Sequence, residues 1–316
     1  MSAFAIVTKS MVDIFVQPDD LHIIEKAFNL CFEVINHLKD NEMVCERTCD
    51  VLVFVVYASY GVYPENEKLS QQFILLYQYS QFSCFIRPFN SLIKICGKDA
   101  CHWGWFLKNC KVIFDHGCTF VSDGNNTHRP RHVERLMKLL QSLIGFNIRI
   151  LEHQYDEVLN HMNIEKLVPI ASGGLLSQEE LTFKECHKVL IELFTHPSTP
   201  ILNLSPETKS MVVRLYNSYI GQIVKDFIEA ILSPRKLSYI KGCGHMLHIM
   251  NNVELRGMGR RLKIEEMLVK EILKTYPDEI NKDETIFENL TKILSASSQE
   301  EAADLAALIN FELYGR

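Results

Sequence analysis

Cys96, Cys101, His102, Cys110, His116 and Cys118 lie within 23 residues of one another. Thiolates and imidazoles are zinc ligands, and four of them suffice for a tetrahedral site. No C-x2-C pair occurs among them, however, and Cys101 and Cys110 fall on an expected helix, where cysteine packs as a small hydrophobe. Core thiols are the expectation here, and no metal is assigned. Cys45 and Cys49 stand one helical turn apart. Cys243, His245 and His248 form a C-x-H-x2-H run with no clear fourth ligand nearby. Gly257-x-Gly259 lacks the third glycine and the preceding strand of a dinucleotide loop. Ser172-Gly-Gly174 lacks nucleophile-elbow spacing, and Glu265-Glu266 reads as exposed helix. No catalytic residue and no cofactor are therefore expected.

Residue types suited to gripping a macromolecule are better represented. Trp103-Gly-Trp105 holds both tryptophans; two apart on a helix, they point to different faces, and tryptophan is enriched at binding hot spots. Arg129, Arg131, His132, Arg135 and Lys138 open one expected helix. Arg256, Arg260, Arg261 and Lys263 crowd the start of another, where the unpaired amides are already positive. The candidate partner-binding residues are Arg256, Arg260, Arg261, Lys263, Arg131, Arg135, Trp103 and Trp105, and the ligand they suit is acidic or phosphorylated.

The elements that position these residues read as helices from end to end. Asp19 and Asp20 precede an i, i+3, i+4, i+7 stripe of Leu21, Ile24, Phe28, Cys31, Phe32, Ile35 and Leu38. Helices follow near 41–60, 64–79, from Pro88, 100–114, 131–143 and 147–162. Val51–Tyr57 is β-branched and aromatic, and helix is preferred there because its neighbours are helical. Residues 111–121 also read as a short hairpin around His116-Gly117. Ser177-Gln-Glu-Glu180 and Ser298-Gln-Glu-Glu301 are capping boxes, and Ser205-Pro206 starts a long amphipathic helix. Further helices are expected from Pro234 and over 257–276. Loops are expected near 122–130 and 196–206.

About thirteen helices starting roughly every 22 residues make pairs that recur within the range of paired-helix repeats. The pattern resembles the armadillo- and HEAT-type α-solenoids. That resemblance implies an all-α, right-handed superhelix of stacked helix pairs, one domain over 1–316, with a surface for peptides or proteins.

Composition agrees with this class. With 47% apolar and 23% charged residues the chain is not a disordered one. Only 14 Gly and 10 Pro argue against many tight turns between strands. A net charge of −6 lowers the expectation of duplex nucleic-acid binding. The apolar run Val51–Ala58 is too short to span a bilayer, and the N-terminus shows no secretory pattern. Reduced thiols in the cytoplasm or nucleus are expected. The leading functional expectation is a non-enzymatic scaffold or adaptor for a protein or peptide. Nucleic-acid association through the basic helices and a metal-dependent enzyme on a helical fold are the alternatives.

Overall fold

A computed structural model describes residues 21–59, 66–96, 100–122, 130–144, 152–194, 205–252, 266–276 and 284–315. Among them are fourteen α-helices, one 3-10 turn and no strand. They fall into two compact units, Met1–Asn163 and Ile164–Arg316.

The first unit contains α1 (Leu21–Leu38), α2 (Glu42–Ser59), α3 (Asn66–Ser80), α4 (Ile86–Cys96), α5 (Ala100–Ser122), α6 (Pro130–Ile144) and α7 (Glu152–His161). The expected stripe of α1 turns inward through Ile24, Phe28, Cys31 and Ile35, whereas Leu38 is exposed. Helices two apart in sequence pack side by side: α2 on α4 and α4 on α6 in one layer, α3 on α5 and α5 on α7 in the other. Phe32 of α1 stacks on Phe73 of α3, with ring centroids 5.5 Å apart. This alternation is what stacked helix pairs require, because each pair buries its apolar faces only against its neighbours. Between α3 and α4, Gln81 takes a left-handed backbone (φ 59°). A 3-10 turn at Ser83–Phe85 then leads directly into α4, so the helix opens two residues ahead of Pro88, which sits in its first turn.

Residues 111–121 are not a hairpin. They continue α5 without interruption to Ser122. Cys110, Ile113, Phe114, Gly117, Cys118 and Val121 repeat at helical spacing and are all buried, and this period prevails over β-branched propensity. Gly117 marks a close helix approach rather than a turn. A Cβ there would lie 2.7 Å from the Leu136 side chain of α6 and 2.8 Å from the Tyr77 hydroxyl of α3.

The second unit contains α8 (Ile164–Gly174), α9 (Glu180–Phe194), α10 (Pro206–Ile231), α11 (Leu237–Asn252), α12 (Glu266–Leu273), α13 (Glu284–Ser295) and α14 (Gln299–Tyr314). The expected helix over 257–276 is seen as α12 and its C-terminal turn, and its earlier part lies outside the described residues. The expected loops at 122–130 and 196–206 lie almost wholly outside them too.

Local chemistry explains several boundaries. Ser205 caps α10, its oxygen accepting from the Thr208 amide at 3.2 Å, with Pro206 at the first helical position. Ser298 caps α14 by accepting from the Glu301 amide at 3.1 Å, while Glu301 reaches back to the amide of Ser297 at 2.7 Å. The box at Ser177 forms differently. Its hydroxyl accepts from Glu179, two residues on, at 3.1 Å, and α9 starts only at Glu180.

Inside α8, Pro169 has no N–H to offer the Glu165 carbonyl. The Tyr219 hydroxyl of α10 donates to that carbonyl instead, at 3.2 Å. The other end of α8 tightens into successive i→i+3 turns through Leu175, Leu176 and Ser177. The Arg235 guanidinium then donates to the carbonyls of all three, satisfying helix-end acceptors that would otherwise lack partners.

Candidate interaction surfaces

Arg135 lies inside the first unit and is only 7% exposed. It donates to the Ser83 hydroxyl at 2.8 Å and pairs with the Glu46 carboxylate. Glu46 also accepts from Arg87 at 3.1 Å, and Arg87 meets Asp50 at 2.6 Å. These residues form a polar ladder running α2–α4–α6, with the two guanidinium groups held between two carboxylates. A buried arginine is retained only when paired in this way. Arg135, a candidate partner-binding residue by its place in the basic run, falls instead on the buried face of α6. Arg131, one turn earlier, is exposed. His132 is buried, hydrogen-bonded to Tyr77 at 2.6 Å and stacked on Phe120.

Trp103 is also internal, its indole donating to Glu157 of α7 at 2.7 Å. Trp105 is half-buried against Phe106, and its Nε1 has no hydrogen-bond partner among the described residues. Arg256, Arg260, Arg261 and Lys263 lie outside the described residues. Within the Cys/His cluster, Cys110 and Cys118 are buried and form no disulfide, and burial pushes the Cys110 thiol well up from its ordinary value. Cys243 is likewise buried. Among the described residues no three His, Cys, Asp or Glu side chains are grouped to hold a metal. No described helix is long and apolar enough to cross a membrane.

The second unit supplies a surface that residue-type reasoning passed over. Helices α11 and α14 run antiparallel and pack very closely. A Cβ on Gly244 would lie 2.5 Å from the Ala302 carbonyl and 2.6 Å from the Ala306 Cβ. Asn310 ties α14 to the end of α10 and the turn that precedes α11, donating to the carbonyls of Ile231 and Ser233 at 2.7 and 2.8 Å. Tyr314 donates to the Leu232 carbonyl. Above these bonds a groove of about 620 Å³ opens between the two helices. Leu237 from one wall and Leu308 and Phe311 from the other are 55%, 44% and 57% exposed. Lys236 and Lys241 stand at its rim, Lys241 meeting Asp304 at 2.6 Å and Lys236 approaching Glu180 at 3.7 Å. Single exposed apolar residues need no explanation; here three large ones are gathered around one concavity. In sequence α14 shows only apolar residues on more than one face; the structure turns Ala302, Ala306 and Ile309 inward and Leu308 and Phe311 outward.

No protein-family model and no curated protein sequence matches the chain. Solved structures do. The chain is similar to importin-13 in its cytosolic state, with a TM-score of 0.68 and 12% identity. The likeness covers 95% of this chain and 32% of that one. This chain therefore spans about a third of the length of its structural neighbour. The likeness shows the fold, an all-α stack of helix pairs of the HEAT/armadillo type, in agreement with the layering seen within the first unit.

Proposed function

We propose that the chain is a non-enzymatic scaffold or adaptor that holds a protein partner on the surface of its helical repeats, inside the cell. The groove between α11 and α14 carries this reading, because it gathers large apolar side chains at the surface while the buried charges of the first unit are paired internally. Apolar surface of this kind gains free energy when a partner covers it, on the order of 25 cal/mol per Å². The similarity to importin-13 supports the reading at the level of fold, since stacked helix pairs commonly present extended binding faces.

The test is affinity capture from cell extract with the full chain as bait, followed by quantitative mass spectrometry. A second bait carries Leu308→Asp and Phe311→Asp. We expect at least one protein to be enriched near stoichiometrically by the natural chain and depleted by the variant. A natural bait that enriches no protein over the bait-free control would overturn the proposal.

A further inference from the structure

We infer that the groove between α11 and α14 takes an acidic amphipathic helix of the partner, an inference that rests on the scaffold reading and specifies its ligand. The shape argument begins with the walls. Asp304, Ala307, Leu308 and Phe311 repeat at i, i+3, i+4 and i+7 on α14, and Leu237, Ile240 and Lys241 repeat at i, i+3 and i+4 on α11. Both walls thus present side chains at helical spacing, the pattern of ridges against which a third helix packs. An extended peptide fits less well. The walls are helical, so their backbone groups are already paired and offer no free edge to a strand. A helix brings its own backbone bonds and needs only apolar side chains for Leu237, Leu308 and Phe311.

The charge argument selects the sign of the ligand. Arg235, Lys236 and Lys241 line the groove against one carboxylate, Asp304, on a chain whose overall charge is −6. Arg235 is committed to the end of α8. Lys236 and Lys241 sit in exposed ion pairs, which exchange readily for other carboxylates because water screens them. A ligand helix with Glu or Asp flanking its apolar face meets both lysines. A basic one meets them as repulsion. Phosphate-rich nucleic acid would match the lysines but leave Leu237, Leu308 and Phe311 uncovered.

The experiment pans a phage-displayed library of 16-residue peptides on the immobilised full chain. The most enriched peptide is then synthesised and measured by fluorescence anisotropy. We expect enriched sequences with apolar residues at helical spacing flanked by Asp or Glu. Phe311→Ala should weaken the measured affinity at least tenfold, and Leu308→Ala should weaken it in the same direction. Both side chains are exposed, so neither change removes core. Lys236→Glu combined with Lys241→Glu should weaken it at least tenfold and steepen at low salt. Enrichment of peptides without an acidic bias, or affinities unmoved by all of these changes, would overturn the inference. A concentration-dependent dimer in sedimentation that Phe311→Ala abolishes would also overturn it, by making a second copy the occupant. If the natural chain captures a protein from extract but the groove variants capture it equally, this inference fails while the scaffold reading stands. If nothing is captured, the scaffold reading itself fails.

Discussion

Replacing Gly244 by alanine should destabilise the second unit even though alanine is the better helix former. The added Cβ would sit 2.5 Å from the Ala302 carbonyl oxygen and 2.6 Å from the Ala306 Cβ. Both are roughly 1 Å inside ordinary contact, and neither belongs to a flexible side-chain end. The helices must therefore separate, or the backbone must bend. Overpacking of this sort costs about 1–3 kcal/mol, and the gain in helix propensity offsets about 1 kcal/mol of it. The expected net loss is about 0–2 kcal/mol, toward the upper end because both contacts lie well under 3 Å. Gly221, inside α10, is the control, because a Cβ there meets nothing within 4 Å. Gly221→Ala should stabilise by about 0.5–1 kcal/mol. Hydrogen exchange read by mass spectrometry on peptides from α10, α11 and α14 gives the opening free energies. The reasoning is refuted if Gly244→Ala protects α11 and α14 as well as the natural chain does. It is equally refuted if Gly221→Ala is the more damaging of the two.

Three further outcomes are expected. Tyr219→Phe should cost about 0.5–1 kcal/mol by leaving the Glu165 carbonyl without its donor; in a Pro169→Ala background, where the helix supplies its own N–H, a double-mutant cycle should show most of that cost gone. His187 donates to the Gly242 carbonyl at 3.3 Å, and burial beside Phe183 and Phe227 pushes its pKa down to about 4 from 6.5. The unfolded chain therefore takes up this proton first as pH falls, so stability is full above pH 6.5 and declines by up to about 3 kcal/mol on the way to pH 4; urea midpoints across that range should fall less steeply in His187→Gln. Finally, Arg260→Glu with Arg261→Glu should lower affinity for an acidic captured partner at low salt, and an unchanged Kd with an intact circular dichroism spectrum would remove those two residues from the binding surface.

The helical character of the chain was legible because apolar spacing and capping serines act locally. Ser205 and Ser298 cap as their spacing requires. Local rules failed where a distant group completes the structure. Helix α8 went unread because Pro169 and the pair Gly173-Gly174 are breakers on their own; Tyr219, fifty residues on, and Arg235, about sixty on, make that segment a helix. His116-Gly117 looked like a turn because the reason for the glycine, Leu136 and Tyr77, belongs to other helices. Arg135 could not be separated from Arg131 by composition, since only the identity of the buried face of α6 distinguishes them. The groove was hidden for the opposite reason. Leu308 and Phe311 are ordinary apolar helix residues in sequence, and their exposure arises only once Gly244 has brought α11 and α14 together along their other faces.

The buried thiols make the protein a recorder of its own breathing. Cys31, Cys45, Cys49, Cys84, Cys110 and Cys118 lie within the first unit, and Cys186 and Cys243 within the second. Burial pushes Cys31 and Cys45 up to about 11, so little thiolate exists until a segment opens to water. Alkylation then requires exposure first and chemistry second. At saturating reagent, the rate at which each cysteine is modified becomes the rate at which its surroundings open. Eight native reporters, needing no introduced label, would show whether helices exchange thiols together or one pair at a time. Stacked repeats are held largely by nearest-neighbour interfaces, so a sequential pattern of modification is the behaviour this architecture should display.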